Sequence, residues 1–285
     1  MIRSAIDFLR LLSKRPVGLA GFIGILVFAF MAYIAPFFVP LMNDPNVREV
    51  YLPPSLFAHP LGTDFQGRDI LNQIVYGGRD ILTVGFLAAT FSTLLAVSFG
   101  SLAATVGGRL DAAILAITDI ALTIPQLILL IVVAAILRPS GFLVLAVMLA
   151  LLQWPSLLRQ VRAQVLSLKE RDYVEAARSL DLGLFHIIFR EMLPNMRSYI
   201  AIHFILAMTQ AIYAQAGIIF LGLVPLSGTN WGIMLYFADS QGALFFRDSF
   251  WYILSPILAI ALFQLSLVSF ASALEDIFNP RLRTA

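Results

Sequence analysis

Cysteine is missing from this 285-residue chain, so neither a disulfide framework nor a thiolate metal site is available to it. Charge is nearly as scarce. Asp, Glu, Lys and Arg supply 13% of the residues against 60% hydrophobic, and the mean hydropathy is +0.88. Soluble domains carry roughly 25% charged residues, so this composition excludes one and points to a polytopic membrane protein. The net charge of +2 is too small for the basic footprint that nucleic-acid binding needs. Catalytic signatures are missing as well. No GxxxxGK[ST] phosphate loop occurs, so the chain does not hydrolyse ATP by that route, and it holds neither HExxH nor GxSxG. No repeat, low-complexity tract or linker marks a second domain.

What the chain has instead is long apolar runs. Residues 17–39 form one of 23, enough at ~1.5 Å per residue to cross a bilayer. The run exceeds a signal-peptide core and no small-x-small site follows it, so it reads as a retained first span. Gly18, Gly21 and Gly24 would let a second helix approach it closely. Five more spans are expected at about 82–106, 112–137, 142–158, 199–224 and 250–272. Small residues over 88–104 favour tight packing of the second. Pro125 should kink or unwind the third, and the fourth ends near Trp154-Pro155.

Ahead of the first span, Ile2, Ala5, Ile6, Leu9 and Leu12 alternate with Arg3, Arg10, Lys14 and Arg15. That is the spacing of an amphipathic helix on the inner membrane surface, or else a basic tail. The expected architecture is all-α: an interfacial helix over 1–16, a six-span domain over 17–272 with an external loop at 40–81 and a cytoplasmic loop at 159–198, and a tail over 273–285. With the amino terminus inside, fourteen of the 19 Lys and Arg fall on the cytoplasmic side and five outside. The positive-inside rule asks for that bias.

One stretch breaks the apolar pattern. Residues 166–195, LSLKERDYVEAARSLDLGLFHIIFREMLPN, lie between the fourth and fifth spans. Tyr173 to Ser179 are good helix formers around Glu175-Ala176-Ala177. Gly183 is placed to end that helix in the left-handed conformation. A second helix over 184–192 then meets Pro194, which cannot continue it. The plain reading is a solvated amphipathic helix; the fuller one is a docking knob at the membrane surface.

Glu175-Ala-Ala-Arg-Ser-Leu followed by Leu193-Pro194-Asn195 resembles the EAA loop of the membrane subunits of ABC importers. Asp181 stands at that family's usual glycine, with Gly183 two positions later. The resemblance implies a coupling helix that fits a groove on a cytoplasmic ATPase, carried by Tyr173, Glu175, Ala176, Ala177, Arg178, Leu180, Asp181, Gly183 and Pro194. Arg178 and Asp181 would offer polar contacts, and Ala176 and Ala177 would keep the helix slim.

The external segment carries a second likeness, in His59-Pro-Leu-Gly-Thr-Asp64-Phe-Gln-Gly67-Arg68-Asp69-Ile-Leu71 and then Tyr76-Gly77-Gly78-Arg79. Read from its residues, it is a short amphipathic helix capped by Thr63 or Asp64, apolar at Leu71, Ile74 and Val75, and ended by Gly77-Gly78. His59, with no His or Cys nearby, reads as a hydrogen-bonded loop histidine and not a metal ligand. The wording is similar to the signature of the second, C-type permease of dipeptide, oligopeptide and nickel importers. Leu221-Gly222-Leu223, Asn230-Trp231-Gly232 and the closing 273–283 resemble the same branch.

What the resemblance implies is a permease subunit in a prokaryotic plasma membrane, both termini cytoplasmic. It would pair with a second, similar permease around a central path. Two ATPases below would bind ATP and Mg, leaving this chain without a cofactor, and a substrate-binding protein would dock outside. Short peptides are the implied cargo, with nickel chelates and oligosaccharides open.

Polar residues inside spans complete the candidates. Asp119 lies two turns before Pro125, where a charge is costly. It is either functional or hydrogen-bonded to Thr118, Thr123 or a neighbouring helix. His203, one turn into the fifth span, is either packed or interfacial. Gln126, Gln153, Gln210, Gln215 and Gln264 each need a partner in lipid, so they either line a watery route or tie helices together. Asp119, Gln126, Gln153, Gln210 and Gln215 are therefore the candidate path residues. A self-contained secondary transporter is a second reading, with few intramembrane charges to run it. A third is an intramembrane hydrolase working through Asp119 or His203.

Overall fold

Apolar runs of this length become helices, because a helix meets its own backbone hydrogen bonds in lipid. In the computed structural model, which describes residues 8, 10–41, 44–225, 228–245 and 247–278, the elements are all helical apart from one isolated bridge between Thr63 and Asp69. In chain order they are α1 (Pro16–Tyr33), α2 (Ile70–Val106), α3 (Gly108–Thr123), α4 (Gln126–Leu137), α5 (Phe142–Lys169), α6 (Asp172–Ser179), α7 (Leu193–Phe220), α8 (Trp231–Ser240) and α9 (Phe250–Phe278). A turn at Leu184–His186 and a π-helix at Ile187–Met192 lead into α7. Five stretches are long and apolar enough to cross a membrane: Pro16–Phe37, Ile70–Val106, Phe142–Lys169, Leu184–Phe220 and Phe250–Phe278. The pair α3 and α4, bent by 86°, supplies the sixth when counted as one span. Residues 1–7 and 9 of the expected interfacial helix and residues 279–285 lie outside the described residues; residues 10–13 are helical.

The bend falls where Pro125 was expected to disturb the third span, with Ile124 and Pro125 in extended conformation. Four other punctuation sites act differently from their sequence reading. Gly77-Gly78 does not end a helix, because α2 runs through it for 37 residues. The pair is a notch: the indole of fully buried Trp231 lies in it and donates Nε1–H to the Ile74 carbonyl at 2.8 Å. A Cβ at Gly78 would stand 3.2 Å from that ring. Nor do Thr63 or Asp64 cap the helix. Asp69 does, accepting from the Asn72 amide at 2.7 Å, so the external helix and the second span are one element.

Pro155, likewise, lies inside α5, which continues to Lys169. The α2–α5 seam is tight on both sides of it: Ala88, Ala96 and Ala104 of α2 are at most 1% exposed and pack in clusters with α5 residues. Pro194, expected to stop a helix, sits in the first turn of α7. The π-helix before it bonds Leu193 N–H to the Ile188 carbonyl, five residues back. That wider turn accommodates the proline ring, which an α-register would drive into the Arg190 carbonyl.

At the amino end of α2 a polar knot closes the loop that precedes it. Asp64 is fully buried and accepts from the Gln66 and Arg68 amides (2.8 and 2.9 Å), from Arg68 Nε (2.8 Å) and from Gln73 Nε2 (2.9 Å). Those bonds satisfy a carboxylate that would otherwise be very costly to bury. His59 is hydrogen-bonded through Nδ1 to Asp69 at 3.0 Å, as a loop histidine should be. Burial, with the Asp64 charge adding to it, holds the Tyr51 phenol above its ordinary range.

The largest apolar core joins α1, α2, α7, α8 and α9 around Trp231, Phe263, Tyr252 and Ile212, with Phe28 edge-on to Trp231 and Phe263. The helix that the amino-terminal glycines admit is α9: a Cβ on Gly21 would lie 2.7 Å from the Ser266 carbonyl. Gly21→Leu is therefore expected to force α1 off α9, destabilising the protein by about 1–3 kcal/mol. The measurement is thermal unfolding in detergent. Gly217→Leu, at a position with nothing within 4 Å, should leave the midpoint near the parent value.

Candidate functional site

The short helix α6 is built with two faces. Asp172 and Glu175 occupy its first turn and Arg178 its last, each at the end of the helix dipole that favours its charge. Val174 and Ala177, three residues apart on one face, are 0% and 5% exposed. They root in a cluster with Val165 of α5, Ile187 and Met192 of the π-helix, and Met196 of α7. Ala177 thus points into the protein, whereas the sequence reading placed it beside Ala176 on the docking surface. Glu175, Ala176, Arg178 and Ser179 point outward. So do Leu180 and Phe185, each 73% exposed, and Phe189, 60% exposed. The Phe185 and Phe189 rings stack with centroids 6.3 Å apart. The exposed apolar patch thus lies beside an outward-turned acidic and basic pair.

The turn after α6 is made by Asp181, whose φ is 52°, and not by Gly183, whose φ is −57°. Aspartate tolerates the left-handed region better than most side chains. The Leu182 amide returns to the Ala177 carbonyl at 3.1 Å, and the Leu182 side chain packs on the same cluster; this is the usual way a helix end satisfies its carbonyls. Tyr173 is half-buried beside it, its hydroxyl without a hydrogen-bond partner among the described residues. Pro194 is exposed below the π-helix.

The second assembly lies midway along the long helices. A cavity of about 400 Å³ is lined by Gln126 at the head of α4, Gln153, Ser156 and Gln160 on α5, His203 and Gln210 on α7, and Ser92 on α2. Three of the five candidate path residues, Gln126, Gln153 and Gln210, therefore meet in one chamber. Gln160, Ser92 and Ser156 escaped the sequence reading. Their signal was spacing: Gln153, Ser156 and Gln160 recur at i, i+3 and i+7, one face of a helix. His203 and Gln210 are seven apart on α7. Gln153 is 7% exposed, and its Oε1 has no hydrogen-bond partner among the described residues. Gln126, Ser156, Gln160 and Gln210 are exposed at the rim, which leaves the chamber polar and open-sided.

The other candidates lie elsewhere. Asp119 pairs with Arg159 of α5, both side chains about half exposed. One step further in, Asp111 takes both Arg162 Nε and Nη2 at 2.6 Å. These two rungs tie α3 to α5. Thr118 is the one buried residue of α3, so charge does here what packing does at the other seams. Gln215 is 1% exposed and lines a separate small outer cavity with Asp80 and Asn230. Gln264 donates to the Thr209 carbonyl at 3.1 Å, joining α9 to α7. His203 packs against the Tyr199 ring. Among the described residues no group of three or more His, Asp or Glu could hold a metal ion.

A family model described as "Binding-protein-dependent transport system inner membrane component" matches residues 96–284. A second, the "N-terminal TM domain of oligopeptide transport permease C", matches residues 5–54. Relatives agree. A peptide permease protein of Brucella suis biovar 1 is 37% identical, covering 90% of this chain and 83% of its own. The dipeptide transport system permease protein DppC of Bacillus subtilis is 32% identical over 97% and 86%. The oligopeptide transport system permease protein OppC of the same organism is 31% identical over 94% and 86%.

The two ion-pair rungs give a prediction. Asp111→Asn should free α3 from α5 by ~1 kcal/mol, the upper range for a partly exposed pair. Hydrogen–deuterium exchange over 108–123 would rise about fivefold while exchange over 142–169 stays as it was. The swapped pair, Asp111→Arg with Arg162→Asp, should return exchange towards the parent rate.

Proposed function

The chain belongs to the binding-protein-dependent transport system inner membrane components, the permease subunits of ABC importers, and from that premise we propose that it forms one half of a path for short peptides, driven by ATPases that grip α6. The single observation that carries the coupling role is the two-faced seating of that helix. Val174 and Ala177 anchor it, and Glu175, Ala176, Leu180 and Phe185 are left for a partner.

The geometry also supplies a transmission. α6 follows α5 after a two-residue turn at Glu170 and Arg171, and it leads through the π-helix into α7. Both neighbours line the chamber, α5 with Gln153 and Gln160, α7 with His203 and Gln210. When two ATPases close on ATP, a push on α6 would travel up α5 and α7 as rigid-body displacement of the chamber walls. The π-helix, a conformation common at functional joints, is placed to absorb the change in angle. ATP and Mg would be held by those partners. The second permease would close the open side of the chamber, a substrate-binding protein would deliver cargo from outside, and both termini would be cytoplasmic, as the charge bias supports. Support for peptides as cargo comes from the names of the relatives and from the neutral, amide-rich lining.

Ala176→Arg tests the docking role without disturbing the root of the helix, because Ala176 is exposed. ATPase co-purification should be lost and peptide uptake should fall at least about tenfold, since an arginine cannot enter a groove shaped for alanine. Normal assembly and uptake would refute the reading. Orientation is checked in the same place. A lone cysteine at Ala176, in a chain that has none of its own, should react with an impermeant maleimide only when the inner face is opened.

A further inference from the structure

The chamber's chemistry says more than that it is polar. Its lining holds four glutamine amides, two serine hydroxyls and His203, with no Asp, Glu, Lys, Arg, Phe, Tyr or Trp among the lining residues. Gln126, Gln160 and Gln210 are exposed at its opening, and Gln153 stands behind them, more than nine-tenths buried. Its Oε1, like those of Gln215 and Gln264 elsewhere, has no hydrogen-bond partner among the described residues.

We propose that the chamber binds the peptide backbone itself, with the exposed amides of Gln126, Gln160 and Gln210 offering donors and acceptors to substrate C=O and N–H groups. This rests on the reading that peptides are the cargo and adds how they are recognised. A primary amide presents one carbonyl and one NH2, the complement of a peptide bond's N–H and C=O. A lining without fixed charge neither selects peptide side chains by sign nor traps a terminus in a strong ion pair. Charge-assisted bonds are roughly twice as strong as neutral ones, and a path must hold its cargo weakly enough to release it. With no aromatic ring in the lining, neither a sugar face nor an aromatic side chain gains a stacking surface. The cavity's ~400 Å³ lies within the usual range for small-ligand sites.

The test uses the whole importer in proteoliposomes, with its binding protein preloaded and uptake normalised to that loading. The probes are trialanine and trialanine methylated at one peptide nitrogen, which removes one N–H donor. The parent importer should take up the methylated peptide about five- to tenfold more slowly. Gln160→Met should carry the two at nearly equal rates. Gln210→Met, at the exposed rim where folding is not at stake, should also narrow the difference. Discrimination unchanged in both variants would overturn the proposal, as would a parent importer that carries both peptides equally. A parent that carries neither would sink the peptide reading beneath it.

Discussion

A polar group left unpaired in hydrocarbon costs several kcal/mol, and this architecture follows from how a chain with so little charge meets that constraint. Some of the buried polar groups are fully met. Asp64 is fully buried but takes two guanidinium bonds, two backbone amides and a side-chain amide. Trp231 gives its one donor to Ile74. Pro194 follows a π-turn that makes room for its ring. Other buried polar groups are not met: seven buried side-chain atoms lack a partner among the described residues, Oε1 of Gln153, Gln215 and Gln264 among them. Of these seven, Gln153 is the one whose side chain lines the amide chamber.

The same constraint separates the seams that are fixed from those that can move. α2 meets α5 through small, closed residues, and α1 meets α9 where glycine lets backbone approach backbone. Such seams do not shift by fractions, because close-packed interiors are bistable and not continuously deformable. α3 is different. It has one buried residue and is fastened by the Asp111–Arg162 and Asp119–Arg159 pairs. Exposed Ile117 and Ile120 on the same helix are compatible with lipid or with a second permease. Ion pairs can exchange partners at modest cost, so α3 and the bend that follows it are the least constrained part of the membrane domain.

Much of this was legible in the sequence because its signals were additive. Apolar length marked the spans, and a polar island marked α6. The small residues of α2 and the glycines of α1 marked seams, though only the structure names their partners. The misread positions were all single residues with two meanings. Gly77-Gly78 carries the signature of a helix stop, but a glycine pair also makes a notch, and the ring that fills it lies 153 residues further on at Trp231. Gly183 looked like the left-handed residue, yet Asp181 takes that role because Leu182 is the next apolar side chain that can reach the cluster under α6. Thr63, Asp64 and Asp69 could each cap a helix, and the choice was made by a knot that consumes Asp64 completely. Local propensity names the candidates in such cases; a distant contact decides.

The placement of α6 shows why the chamber and the knob are one device under the proposed reading. A helix of eight residues is too short to be stable alone, so its position is dictated by what Val174 and Ala177 touch. They touch α5, the π-helix and α7, which are the elements whose middle thirds carry Gln153, Gln160, His203 and Gln210. A force on the outer face of α6 cannot be absorbed within α6. It is delivered to the two helices that hold the amide lining, and α5 in turn holds α3 through its arginines. The residues that would feel cargo and those that would feel the ATPase thus sit at two ends of the same pair of rods, which needs no signal path beyond rigid helices and one adaptable π-turn.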